Sequence, residues 1–244
     1  MGKGTLTGMR ERVVPGDDLA AARWAAGRIA AILAAAVDAR GWASLALSGG
    51  RSPWVMMEHL FHRDIPWGSI DILQVDERVA PDGDDQRNWT RIAPLLAQSP
   101  ASAARAHPMS VAQGADAAVR DYLAVLQAMA GPIDVVQLGL GDDGHTASLA
   151  PGDPVLDVTD APVAATALPF NGTRRVTLTY PALDGAREVL WLITGAQKAA
   201  MAARLEAGDR SIPAGRVCAP SQVLVLDRAA ASPAMPPTGA GATA

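Results

Sequence analysis

A short apolar run followed at once by glycines constrains this chain more than any other stretch. Residues 133–138 are rich in β-branched side chains and are bounded by glycine and proline, which is typical of a buried parallel strand. Gly139, Gly141 and Gly144 follow, and at such positions the backbone can turn sharply or approach a ligand closely. Open α/β sheets bind ligands just outside the carboxyl ends of their strands. The sequence therefore predicts a candidate site at this turn.

The same turn contains Asp142, Asp143 and His145, and a short segment after it could open a helix. A carboxylate two residues from a histidine is a candidate orienting partner for a general base. The alternative is a solvated glycine turn with an incidental histidine. The glycines have the spacing of a dinucleotide fingerprint, but no acidic residue closes a second strand ~20 residues later, and the two acids would repel a pyrophosphate.

A second glycine turn joins a predicted strand at residues 43–47 to a predicted helix at residues 54–61. Ser52 is a good N-cap and Pro53 suits the first helical position. Free N–H groups and the helix dipole make such a turn an anion site, although a plain tight turn has the same sequence. It lacks the lysine of a Walker loop, and Ser48 is not in a nucleophile elbow. The turn residues are Ser48, Gly49, Gly50 and Arg51.

Two further strands are predicted to end in charged turns. Residues 70–75 run directly into Asp76, Glu77 and Arg78, which can be either a solvated loop start or part of a site. Asn88 can cap the helix that follows. A strand at residues 188–194 leads to a helix that begins near Lys198, where a cation is slightly unfavourable unless an anion is present.

Strands and helices alternate throughout, which predicts an α/β fold with a mostly parallel sheet and helices on both faces. A helix capped by Asp17 or Asp18 and running to about Arg40 is expected to cover one face. The 244 residues fit one sizeable domain. Residues 229–244, rich in alanine, proline and glycine, are expected to form a disordered tail.

Charge and cysteine content narrow the classes of function. The net charge of −4 argues against a general nucleic-acid or membrane-surface role. Cys218 is the only cysteine, so an internal disulfide and a cysteine metal cluster are excluded, and a reducing, cytoplasmic location is expected. The N-terminus lacks a secretory pattern, and no run of ~18 uninterrupted apolar residues predicts a membrane span.

Four separated segments, in order, resemble the 6-phosphogluconolactonase family. Together they extend over roughly residues 10–228, and the family's Rossmann-like sheet agrees with the alternation described above. The segments are Leu47-Ser48-Gly49-Gly50 with Pro53; Val75-Asp76-Glu77-Arg78 with Asn88; residues 138–149 with Pro151-Gly152; and residues 175–179 with Ala186-Arg187 and residues 194–199.

The resemblance implies a single lactonase domain at residues 1–228 that hydrolyses 6-phospho-D-glucono-1,5-lactone, the second step of the oxidative pentose phosphate pathway. It implies no cofactor or metal, no nucleic-acid or membrane partner, a small sugar-phosphate lactone as ligand, and a monomer or small homo-oligomer. By resemblance His145 is the general base, Asp143 its partner and Arg78 a further catalytic residue. The implied substrate or phosphate contacts are Ser48, Gly49, Gly50, Arg51, Asp76, Asn88, Gly141, Arg175 and Lys198.

The chain departs from the family pattern at three places. Arg51 replaces a small hydroxyl residue and can either contact phosphate or point to solvent, while Ala150 replaces a phenylalanine and Arg87 replaces a serine. The related glucosamine-6-phosphate deaminases are one rival, but they have a glutamate where this chain has Ala150 and a tyrosine where it has Arg78. A non-catalytic sugar-phosphate sensor is another, but it needs a DNA-binding helix pair or a basic face, and neither is visible.

Overall fold

The computed structural model describes residues 9–232, in which strands and helices alternate as the sequence predicts. The strands are β1 (Met9–Gly16), β2 (Ala43–Leu47), β3 (Ile70–Gln74), β4 (Asp76–Arg78), β5 (Arg105–His107), β6 (Val135–Leu138), β7 (Val163–Ala165), β8 (Arg175–Leu178), β9 (Glu188–Ile193) and β10 (Ser221–Asp227). The α-helices are α1 (Asp18–Arg40), α2 (Arg51–Phe61), α3 (Asn88–Ala97), α4 (Ala115–Ala128), α5 (Tyr180–Gly185), α6 (Ala199–Glu206) and α7 (Arg228–Ala231).

Seven strands form one sheet in the order β1-β10-β9-β6-β2-β3-β5, and every neighbouring pair is parallel. From β2 the chain adds strands towards one edge, and from β6 it adds them towards the other. The order therefore reverses between β2 and β6, and a crevice forms at such a point outside the carboxyl ends of the strands. The turns that follow these two strands are the two glycine turns that the sequence singles out.

The sheet is covered on both faces, which confirms the predicted α/β architecture. Alternate residues of a strand point to opposite faces. Leu45 and Leu190 belong to a core cluster with α1 and α2, whereas Ala46 and Trp191 belong to a second cluster with α4 and α6. Because both faces are buried, the central strands are predominantly apolar.

Helix α1 begins and ends where the sequence predicts. The side chain of Asp17 accepts a hydrogen bond from the N–H of Ala20, and Gly41 ends the helix in the left-handed conformation, with φ of 80°. By length and composition α1 could cross a membrane, but Arg23 and Arg28 interrupt its apolar residues, as the sequence indicates. In this fold its buried side chains, among them Ile29 and Leu33, pack within the core cluster beneath the sheet.

A small antiparallel sheet, β4-β8-β7, lies beside the main one. Asp76 and Glu77 are buried in it, so the interpretation of these charges as a solvated loop start is wrong. Their carboxylates are tolerated because each accepts several hydrogen bonds, which offset the cost of burial.

Several local predictions are also wrong. Strands β1 and β5 were not predicted, and the segment after His145 forms turns up to a 3-10 helix at Pro154–Asp157 instead of opening an α-helix. Helix α2 begins at Arg51 with Gly50 as its N-cap, because the hydroxyl of Ser52 bonds the Thr194 hydroxyl at 2.6 Å and does not cap.

Two further boundaries differ from the predictions. Asn88 is the first residue of α3 and not its cap, since its side-chain amide bonds Asp76 instead. Helix α7 occupies the start of the segment predicted to be a tail, and Asp227 caps it by accepting from the N–H of Ala230. The rest of the predicted tail, residues 233–244, lies outside the described residues.

Candidate active site

A cleft of about 530 Å³ lies at the carboxyl ends of β2 and β6. It brings together most of the predicted site residues, which come from four distant parts of the chain. The residues that line it are Ser48, Gly49, Asp76, Arg78, Asn88, Gly139, Leu140, Gly141, His145, Thr146, Ala147, Arg175 and Lys198.

His145 is fixed by its neighbour in the glycine turn. Its Nδ1 lies 2.5 Å from Oδ1 of Asp143, and its backbone N–H donates to the same oxygen at 3.0 Å. Burial opposes ionisation of Asp143, but the hydrogen bonds from the backbone and ring of His145 outweigh it, so the pKa of Asp143 lies below its usual value. Asp143 therefore remains a carboxylate at neutral pH, and the ring nitrogen left for a ligand is Nε2.

Gly141 is required by the close approach of this ring. A side chain at position 141 would collide with the imidazole of His145. The N–H of Gly141 donates to the carbonyl of His145 at 2.8 Å, and Gly144 returns the chain with φ of 83°. The glycines thus form a tight turn around the histidine and do not open a helix.

The floor of the cleft is formed around Asp76. Its carboxylate accepts from the Ser148 hydroxyl at 2.5 Å and from the side-chain amide of Asn88 at 3.1 Å, and it lies 3.7 Å from Nη1 of Arg175. Nη1 of Arg78 donates to Oδ1 of Asn88 at 3.1 Å. Residues far apart in sequence therefore hold one another in place at this end.

Glu77 supports this floor from behind, a role that the sequence did not predict. It is fully buried and accepts hydrogen bonds from the backbone N–H groups of Asn88 and Trp89 at 2.7 and 2.8 Å. It also accepts from the N–H of Arg78 and the side chain of Gln74. The carboxylate thus accepts hydrogen bonds from N–H groups at the start of α3 that have no partner within the helix. Its negative charge also interacts favourably with the dipole of α3. No local pattern indicates this, because the partners come from two elements.

The glycine turn after β2 and a lysine also line the cleft. A side chain at Gly49 would collide with Asn88, and Gly50, with φ of 127°, begins α2. Lys198 follows β9, and its Nζ lies 2.6 Å from Oδ1 of Asp142. A helix N-terminus beside a lysine suits an anionic ligand.

Ser48 has its hydroxyl committed to the interior. The hydroxyl donates to Oε1 of Gln137 at 2.9 Å, and the backbone N–H of Ser48 points to the same oxygen at 3.3 Å. In this arrangement Ser48 offers lone pairs to the cleft and not a proton. It is thus suited to accept a hydrogen bond from a ligand hydroxyl.

Arg175 is held between an acid and an aromatic ring. Its guanidinium lies 4.8 Å from the centroid of Phe170 and 3.7 Å from Asp76. Burial lowers the pKa of Arg175 from its ordinary value, with Asp76 opposing that shift. Phe170 also touches His145, and sequence reasoning missed it; an aromatic beside the turn pair Asn171-Gly172 was the available signal.

Three predicted residues do not line the cleft. Asp143 acts behind His145, and Gly50 contributes the start of α2. Arg51 is exposed and borders a separate cavity with Asp18 and Val55, so the structure does not bring it to the other predicted contacts. Among residues 9–232, no group of three or more His, Cys, Asp or Glu side chains is arranged to hold a metal ion.

Comparison with known proteins gives matches over most of the chain. A family model described as glucosamine-6-phosphate isomerases/6-phosphogluconolactonase matches residues 16–226. The 6-phosphogluconolactonase of Mycobacterium tuberculosis is 37% identical over 239 residues, which cover 90% of this chain and 96% of that protein. The 6-phosphogluconolactonase of Rhizobium meliloti is 36% identical over 190 residues, which cover 75% and 82%.

Solved structures show the same fold. A 6-phosphogluconolactonase from Shewanella baltica superposes with a TM-score of 0.82 at 29% identity, covering 91% of this chain and all of its own. One from Thermotoga maritima gives a TM-score of 0.81 at 25% identity, with 90% and 100% coverage.

Proposed function

The chain belongs to the family of glucosamine-6-phosphate isomerases and 6-phosphogluconolactonases, and from this premise we propose that it hydrolyses 6-phospho-D-glucono-1,5-lactone with His145 as the general base. Its similar curated relatives are named for the lactonase and not for the isomerase. The observation that carries the mechanism is the contact between Nδ1 of His145 and Asp143, at the edge of a cleft that also contains Arg78 and Lys198.

The chemistry begins with water. Because Asp143 occupies Nδ1 as an ionised acceptor, it holds the neutral tautomer in which Nε2 carries the lone pair. Nε2 takes a proton from water as its oxygen attacks the lactone carbonyl. The imidazolium, stabilised by the carboxylate of Asp143, then returns that proton to the ring oxygen as the C–O bond breaks. The product is an open-chain carboxylic acid, which releases its remaining proton to solvent and becomes a carboxylate at neutral pH.

Arg78 has the place of an electrostatic partner in this step. Its Nη1 is fixed by Asn88, so the guanidinium is oriented before the substrate arrives. A preoriented cation stabilises the negative charge that develops on the carbonyl oxygen. Asn88 is in turn held by Asp76, so Arg78 and Asn88 act as one unit.

The phosphate is remote from the reacting carbon, so its binding positions the lactone and does not activate it. In the proposal it is bound by the N-terminus of α2 after Gly49 and Gly50, and by Lys198. Ser48 accepts from a sugar hydroxyl. A cytoplasmic location, expected from the lone cysteine, is part of the same proposal.

The test compares the purified protein with His145→Ala on freshly prepared phosphogluconolactone. We expect kcat above the spontaneous background to fall by about 10²–10⁴-fold, the usual contribution of a general base. His62→Ala, which alters an exposed histidine on α2's C-terminal side, is the matched control and should retain full activity. Equal rates for the wild type and His145→Ala would remove His145 from its role. Ammonia released from glucosamine 6-phosphate would favour the isomerase activity instead.

A further inference from the structure

Phe170 lies at the tip of an arm, residues 166–175, that joins β7 to β8. Its N–H donates to the carbonyl of Thr173 at 3.0 Å, and Asn171 and Gly172, both with positive φ, turn the chain back. Such a two-residue turn fixes the direction of the side chain before it. The tip of the arm is therefore a defined structure and not a loose loop.

The base of the arm is also held. Asp153 is buried, and its carboxylate accepts from the N–H groups of Ala167 at 3.2 Å and Leu168 at 3.0 Å. The N–H of Thr166 donates to the carbonyl of Arg175 at 2.8 Å, which joins the first residue of the arm to the last. Hydrogen bonds at both ends thus bring Phe170 to the cleft with little freedom.

The ring of Phe170 contacts the proposed base directly. The centroids of Phe170 and His145 are 4.8 Å apart, and the two planes make an angle of 69°, an edge-to-face arrangement. Asp143 holds one atom of the imidazole, which still allows the ring to tilt about that hydrogen bond. A second contact from a different element fixes the plane of the ring, and with it the direction of Nε2.

The same residue holds the buried cation of the cleft. The guanidinium of Arg175 lies 4.8 Å from the centroid of Phe170, and its Nη2 donates to the Phe170 carbonyl at 3.3 Å. The carboxylate of Asp76 lies 3.7 Å from Arg175, too far for a hydrogen bond, so contact with the aromatic ring replaces part of the lost hydration of the guanidinium. One side chain therefore touches both the base and a cation that lines the cleft.

We infer that Phe170 is a positioning residue for lactone hydrolysis, which sets the plane of the His145 ring and supports Arg175 in the cleft. This inference rests on the proposed function, because only there does the direction of Nε2 matter. Phe170 takes no part in proton transfer. It acts through His145 on turnover and through Arg175 on binding.

The test uses substitutions that keep most of the side-chain volume. The effect through His145 is measured as kcat and the effect through Arg175 as KM. Phe170→Leu retains bulk but removes the aromatic ring, and we expect kcat to fall about threefold to tenfold and KM to rise, because both contacts depend on the ring. Phe170→Tyr retains the ring and should remain within about twofold of the wild type. Leu168→Ala, an exposed position of the same arm, is the matched control and should leave both constants unchanged.

A spectroscopic measurement distinguishes positioning from simple structural support. The chain has four histidines, so the ring C–H resonance of His145 can be assigned by its loss in His145→Ala. The phenyl ring displaces that resonance, and Phe170→Leu should move it while Phe170→Tyr should not. An unchanged resonance, or an unchanged kcat in Phe170→Leu, would overturn the inference. A wild-type protein without hydrolysis above background would contradict the proposed function instead. The His145 resonance would still show whether Phe170 contacts the His145 ring.

Discussion

The two sides of the cleft are built in different ways. On one side the histidine turn, residues 139–147, makes its central contact between residues two positions apart, and the side chains of His145 and Asp143 are 27% and 45% exposed. On the other side the floor around Asp76 and Glu77 is buried and is linked by hydrogen bonds to Asn88 and Ser148. The turn can thus change without disturbing the core, whereas the floor cannot. Substitutions in the histidine turn should therefore affect mainly catalysis, and substitutions in the floor should affect mainly stability.

The largest effect on stability is expected at the floor. Glu77→Ala leaves the N–H groups that begin α3 without their acceptor, and it takes away the buried carboxylate that lies 3.7 Å from the guanidinium of Arg87. We expect the free energy of unfolding to fall by about 3–5 kcal/mol, as when one partner of a buried charged pair is removed. Urea unfolding measures it. The matched control is Asp82→Ala, which removes the other, 79% exposed partner of Arg87 and should cost less than about 1 kcal/mol. Equal losses would erase the distinction between floor and surface.

A smaller effect, on binding, is expected at the lysine. Lys198→Ala removes a charged hydrogen-bond donor from the proposed phosphate position, so KM should rise roughly tenfold to hundredfold while the unfolding midpoint stays nearly constant. Asp142→Asn is the matched control, since it leaves the cation and removes its carboxylate. It should change KM in the opposite direction, by at most about fivefold, because Asp142 is 71% exposed. A wild-type KM in Lys198→Ala would remove the lysine from the phosphate pocket.

The smallest effect concerns acid and the histidine turn. The folded state lowers the pKa of Asp143, so the ionised carboxylate contributes stability above its unfolded-state pKa and loses it as the pH falls through the folded value. Asp143→Asn should therefore be slightly less stable than the wild type at pH 7, and the difference should close in acid. Urea unfolding of both proteins at pH 7 and in acid measures this difference in stability. A constant difference would mean that the charge of Asp143 contributes nothing to folding.

The same contrast explains what the sequence could reveal. The histidine turn was predicted because strand, glycines, acid and base are contiguous, so local chemistry defines it. From sequence alone the charges of β4 can be either a loop start or part of a site, because nothing near them indicates pairing with β8, about a hundred residues later. The edge strands β1 and β5 were missed for a similar reason: their charged residues become strand only through hydrogen bonds to β10 and β3.

The helix expected after His145 and the cap expected at Ser52 failed for a different reason. In both places a tertiary contact overrides the local sequence pattern. Gly144 packs against Ile212 and turns the chain away, and the hydroxyl of Ser52 bonds Thr194. Phe170 was missed because the turn pair beside it indicates a turn but not that the tip of this arm reaches His145.

The pairing of Lys198 with Asp142 means that this lysine already has a counterion before any ligand enters. In the proposed function the phosphate displaces that carboxylate, so binding is an exchange of one counterion for another. The net gain is the difference between two ion pairs and not the full strength of one. When the product leaves, Asp142 is close enough to pair with Lys198 again, which favours rapid product release over tight binding.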